Sequence, residues 1–91
     1  MKVVYLKSAL KDLAAIRAYI GREDAEAARR VVTRIEQCVE RLASLPYSGR
    51  PGPRRMRLLT VPGLPYVVIH RVQDETVKIA GVLHTSRNRQ F

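Results

Sequence analysis

Cysteine is almost missing from this chain. The single Cys38 cannot form an internal disulfide and excludes a multi-cysteine zinc site, so nothing in the composition demands an oxidising compartment. Tryptophan is absent and phenylalanine occurs once, at Phe91, so a core has to be built from Val, Leu, Ile and Ala. No apolar run approaches the roughly 20 residues that cross a bilayer, and the N-terminus carries no secretory apolar stretch. A cytoplasmic location and no membrane partner are therefore expected. Acids are scarce as well: 8 Asp and Glu face 17 Lys and Arg, a formal net charge of +9. A field of that sign favours an anionic partner, either nucleic acid or an acidic protein segment.

What is present suits one small domain over residues 1–91, in the size range where a single core suffices for folding. The charge is uneven. Residues 1–45 hold nine basic against six acidic side chains, and residues 46–91 hold eight against two, so the second half is the basic half. That half also carries the strand signals. Tyr66-Val67-Val68-Ile69 and Val77 to Leu83 are rich in β-branched residues and are separated by Gln73-Asp74-Glu75-Thr76, which predicts a hairpin centred on Asp74-Glu75. In that register Arg71 faces Lys78 and Ile69 faces Ala80, while Val68, His70 and Val72 share the other face with Ile79 and Val77. Arg54 to Val61 is a further strand candidate, closed by Pro62-Gly63-Leu64-Pro65, and period two sets Arg55 and Arg57 side by side on it.

In the first half, Lys2 to Leu6 suits a strand, and Ser8 suits the cap of a helix from Ala9 to Ile20 with Leu10, Leu13, Ile16 and Ile20 as its apolar stripe. Gly21 fits a left-handed stop. Glu23, Asp24 and Glu26 then put negative charge at the start of a second helix, Ala25 to about Leu45, striped by Ala28, Val31, Ile35, Cys38, Leu42 and Leu45. Pro46 to Pro53 is a loop. The fold class expected is α+β, in the order β-α-α-β-β-β, with an N-terminal helical hairpin packed on one face of a small, mainly antiparallel sheet. Two helices cover only one face of about four strands. The hairpin is apolar on both, so the second face is expected to need a partner.

Candidate chemistry is sparse. Arg54, Arg55 and Arg57 suit either a solvated edge strand, where charge discourages edge pairing, or an anion site in which guanidinium groups grip phosphate or carboxylate. His70, among Tyr66, Val68 and Val72, suits a buried histidine with both nitrogens satisfied, whereas His84, ending a strand near Arg87, has the placement of a general acid or base. Two histidines without a cysteine or acidic cluster make no metal site. Gly49, Gly52 and Gly63 form no phosphate loop, so no cofactor is expected. Ser48 and Ser86 have no paired base.

Asp12-Leu13, the run Ile16 to Ile20, the Leu45 to Arg50 loop, Pro65 to Val72 and the Val82 to Arg87 ending resemble, in order and spacing, the RelE/ParE superfamily of toxins. The resemblance implies the toxin of a bacterial type II toxin–antitoxin pair, neutralised by a cognate acidic antitoxin that folds on binding, with operator DNA reached only through that antitoxin. Two activities are implied. RelE-like members cut ribosome-bound messenger RNA, which would make Arg55, Arg57, His84 and Arg87 catalytic; ParE-like members poison DNA gyrase. Target or antitoxin contacts would fall to Arg50, Arg54, Arg55, Arg57, Arg71, Lys78 and Phe91. Val67 stands where RelE-like enzymes carry an arginine and Phe91 replaces their late tyrosine, so both a phosphate donor and a hydroxyl are lost. The expectation is gyrase inhibition, with messenger cleavage and a non-toxic antitoxin-binding regulatory module as the alternatives.

Overall fold

A computed structural model describes residues 1–86. Its elements run β1 (Lys2–Tyr5), α1 (Lys7–Gly21), α2 (Ala25–Glu40), a 3-10 turn at Arg41–Ala43, β2 (Arg50–Pro51), a tight turn at Pro53–Arg55, β3 (Arg57–Thr60), β4 (Tyr66–Gln73) and β5 (Thr76–His84). The five strands form one sheet in the order β1-β5-β4-β3-β2. β1 lies parallel to β5 and the remaining pairs are antiparallel, so the expected α+β architecture holds with one strand more than anticipated.

The helices cover one face. Ala9 and Leu13 of α1, with Ile35, Cys38, Val39 and Leu42, close over Tyr66, Val68, Val77, Ile79 and Val82. Burying these aliphatic side chains, each worth about 1.5–3 kcal/mol for the larger ones, supplies the main driving force. The stripe of α1 is phased on Ala9, not Leu10. Ala9 is fully buried and lets the helix approach the sheet closely, which leaves Leu10 52% exposed.

Helix ends differ from expectation in physically legible ways. Ser8 is not the cap of α1; the helix starts at Lys7 after Leu6, and Ser8 Oγ donates to the Ala80 carbonyl at 2.5 Å. Gly21 is the last helical residue, without a left-handed turn, and its missing side chain faces Ala28 Cβ at 3.7 Å where the two helices meet. Asp24 caps α2 by accepting the Ala27 N–H at 3.0 Å. α2 stops at Glu40 and tightens into the 3-10 turn, and Pro46 then disfavours helical backbone at Leu45. Leu45 therefore leaves the stripe and is 63% exposed.

The β4–β5 hairpin turns at Asp74 and Glu75, both left-handed at φ 54° and 55°, and Arg71 pairs with Lys78 as expected. A bulge between Ile69 and His70 shifts the rest: Ile69 faces Gly81, and Ala80 is the extra residue. On the face away from the helices, Leu58 and Val67 are buried and Ile69 and Leu83 half-buried. The β2–β3 turn folds over part of it, with Gly52 so close that an added Cβ would lie 3.3 Å from Leu58 Cγ. The expected open apolar second face is thus largely self-shielded. Among the described residues the strongly exposed large apolar side chains are Met1, Leu10, Tyr19, Leu45 and Tyr47, on the terminus, α1 and the loop.

Candidate functional site

The basic second half folds into three separate groups. The first is a loop held against the end of the sheet. Arg57 and His70 are partners in the β3–β4 register. They reach neighbouring carbonyls: Arg57 Nη2 donates to Gly49 O at 2.9 Å, and His70 Nε2–H donates to Ser48 O at 3.1 Å. Gly49 is left-handed at φ 94°, and a Cβ there would meet the Leu58 carbonyl oxygen at 2.5 Å, so only glycine fits. His70 is fully buried. Burial holds its pKa below the ordinary histidine value and the Arg57 charge adds to that, although the bond to Ser48 opposes it. Its Nδ1 is buried without a hydrogen-bond partner. The expectation that both nitrogens are satisfied therefore holds for only one.

The second group is the tip of the β2–β3 turn. β3 begins at Arg57, so Arg55 and Arg57 are not neighbours on a strand. Arg54 and Arg55 both take left-handed backbone, at φ 57° and 62°, in a turn closed by Gly52 N–H to Met56 O at 2.8 Å and Met56 N–H to Pro53 O at 3.0 Å. Such geometry costs roughly 1–2 kcal/mol per non-glycine residue. It projects two arginines into solvent beside exposed Arg50, which starts the short β2 that the sequence reading took for loop. Arg71 and Lys78 form a third basic spot on the face away from the helices, where Lys78 Nζ donates to Gln73 Oε1 at 3.3 Å.

His84 lies far from these arginines. Its ring stands edge-on to Tyr66, centroids 5.2 Å apart, and its Nδ1 accepts the Ser86 N–H at 3.1 Å. It lines an open cleft of about 310 Å³ with Asp12, Ala15, Ile16, Tyr19, Tyr66, Val82 and Leu83. Arg57 pairs with His70 and His84 with Tyr66, four positions apart on β4. That is a separation of roughly 13 Å along the strand. Val67, between them, is buried and aliphatic. Arg87 and Phe91 lie outside the described residues. Among the described residues no three His, Cys, Asp or Glu side chains converge to hold a metal ion, and no helix is long and apolar enough to cross a membrane.

The family model for the ParE toxin of the type II toxin–antitoxin system parDE matches residues 3–89. The chain belongs to the ParE toxin family. The toxin is 43% identical over 77 residues to Y4kP of Sinorhizobium fredii, a match covering 84% of this chain and 79% of that one. It is 39% identical over 87 residues to Toxin RelE2 of Caulobacter vibrioides, covering 94% and 97%. Among solved structures, the chromosomal ParDE toxin–antitoxin system from P. aeruginosa superposes with a TM-score of 0.81 at 26% identity, over 92% of this chain and 95% of that one. The names span both branches of the superfamily.

Two position-holding side chains escaped the sequence reading. Asp12 Oδ2 accepts the Val82 N–H at 2.9 Å, and Arg34 Nη2 donates to the Pro62 carbonyl at 2.5 Å, pinning the β3–β4 turn to α2. Asp12 had one available signal: it lies one helical turn after Ser8, a spacing that puts both on one side of α1.

Proposed function

We propose that this toxin arrests growth by acting on DNA gyrase, and that a cognate acidic antitoxin holds it inactive by folding onto it. The observation that carries the gyrase reading is the dispersal of the side chains a nuclease would need. Arg55 sits on a solvent-facing turn, Arg57 spends its guanidinium on Gly49 O, and His84 stands roughly 13 Å along the sheet from Arg57. Scission of a phosphodiester next to a 2′-hydroxyl needs proton-transfer groups and charge-stabilising donors converging within hydrogen-bond reach of one phosphate. The exposed tip with Arg50, Arg54 and Arg55 suits a different task, gripping a protein or nucleoprotein surface with solvent-facing guanidinium groups.

The testing experiment compares two assays on the purified toxin. Gyrase supercoiling should be inhibited, or cleaved DNA should accumulate, and ribosome-bound message should stay intact. Codon-positioned cuts that vanish in Arg55→Ala/Arg57→Ala, with gyrase untouched, would promote the RelE-like alternative. Inactivity in both assays by folded protein that also leaves growth normal would favour a regulatory module.

A further inference from the structure

One exposed surface has no part in the sites above. Arg30 and Arg34 of α2 and Arg41, which opens the 3-10 turn after it, recur at spacings of four and seven; at about 100° per residue these three fall within about 40° of one another around the axis, with Gln37 about 20° outside that arc. All four are exposed. Arg29, Arg30, Thr33, Arg34 and Gln37 line an open concavity of about 330 Å³. Two of the three acids of α2 are kept off this stripe. Glu36 and Glu40 lie about 100–140° round the helix, near Tyr5, whose pKa burial and these two carboxylates push up to about 12. Glu26 is already paired with Arg29 at 3.4 Å. Arg34 is held in place by Pro62 O, so the middle of the stripe is preorganised.

We propose that this arginine stripe is a binding surface for the sugar–phosphate backbone of duplex DNA, engaged without regard to base sequence. Its chemistry selects that occupant. The stripe runs about 16 Å along the helix, enough to follow several consecutive phosphates. Guanidinium donors dominate its lining, with Thr33 and Gln37 as neutral polar neighbours, and no exposed large apolar side chain lies on α2 itself, whereas protein interfaces rely on such anchors. Single-stranded nucleic acid would call for stacking platforms. No tyrosine lies on α2: Tyr66 is buried, Tyr5 belongs to β1, Tyr19 to α1 and Tyr47 to the loop after α2. The surface is separate from the Arg54-Arg55 tip and stands whichever target the toxin acts on. It adds a direct contact to DNA, beyond one made through the antitoxin.

The test is fluorescence anisotropy of a mixed-sequence labelled duplex titrated with the full-length toxin at several salt concentrations. Three phosphate contacts give a log–log salt slope near −2.7 and about a 40-fold loss of affinity between about 50 and 200 mM salt. Arg30→Gln/Arg41→Gln should reduce that loss to about fourfold, and Arg30→Gln alone should lower the slope by about 0.9. Both variants alter exposed side chains, and matching thermal melts will show that the fold is kept. Lys11→Gln/Arg17→Gln, exposed on α1, should leave the slope unchanged. An unaltered slope in the stripe variants, an equal fall in slope in the α1 variant, or equal binding to a glutamate polymer would each overturn the proposal.

Discussion

Asp12 and Val82, 70 positions apart in the chain, are joined by a 2.9 Å hydrogen bond from the Val82 N–H to Asp12 Oδ2. The bond completes an edge. β1 ends at Tyr5, and the Leu6 N–H makes a further backbone bond to Ile79 O at 2.9 Å. Beyond that point Ser8 takes the Ala80 carbonyl and Asp12 the Val82 N–H. One helical turn rises about 6 Å over four residues, close to the roughly 6.6 Å that separate alternate residues of a strand. Two side chains of a helix thus stand in for the strand that β1 no longer provides.

Asp12→Ala should therefore destabilise the toxin. It leaves the Val82 N–H without its partner, at a cost of about 1–3 kcal/mol, and a domain of this size loses roughly 4–8 °C in melting temperature per kcal/mol. Asp12→Asn keeps an acceptor and should cost less. Circular dichroism melts of the three proteins decide it, and an unchanged midpoint for the alanine variant would remove Asp12 from this role.

His70 should make stability depend on pH. Its folded pKa lies below the usual value, so the unfolded chain takes up the proton first as pH falls. The stabilisation is fully present above about pH 6.5 and is lost as pH drops through the lower folded value. His70→Gln retains a donor for Ser48 O and cannot titrate. Urea midpoints at about pH 7.5 and about pH 5 should fall further for the wild type than for this variant; parallel falls would show that His70 is not the group responsible.

The two left-handed glycines should differ in tolerance. At Gly49 an added Cβ would lie 2.5 Å from a backbone oxygen, and at Gly63 it would lie 3.0 Å from Arg34 Nη2, the far end of a side chain. Gly63→Ala should cost about 1–2 kcal/mol from its backbone conformation alone, and Gly49→Ala more, since the Leu58 backbone cannot step aside. Equal losses in chemical denaturation would contradict the close packing of the loop on β3.

Binding of the antitoxin to the folded toxin alone should raise the melting temperature. At a hundredfold excess over the dissociation constant the gain is about 2.7 kcal/mol. Expression of the toxin by itself should stop growth and co-expression of the antitoxin should restore it. A melting curve that ignores saturating antitoxin would rule out the wrapped complex.

Local sequence determined much of this protein. The spacing of Leu13 and Ile16, and of Ala28, Ile35, Cys38 and Leu42, fixed two helices with one apolar side each, although Leu10 and Leu45 of the expected stripes face solvent, and the β-branched runs around Asp74-Glu75 fixed the hairpin and its Arg71–Lys78 pairing, because helix and strand periods are properties of neighbouring residues. The arginines were visible too, but not their directions. Whether Arg57 faces the helices or solvent depends on β3 starting after a left-handed turn at Arg54 and Arg55, which the arginine codons of a basic stretch do not announce. The bulge at Ala80 carries the same lesson. Ser8, brought from 72 residues away, gives the Ala80 carbonyl its partner, and only the packing of α1 against β5 places it there. Charge and periodicity are additive and readable along the chain, whereas the aim of a guanidinium or a lone N–H is set by which distant backbone lies within about 3 Å of it.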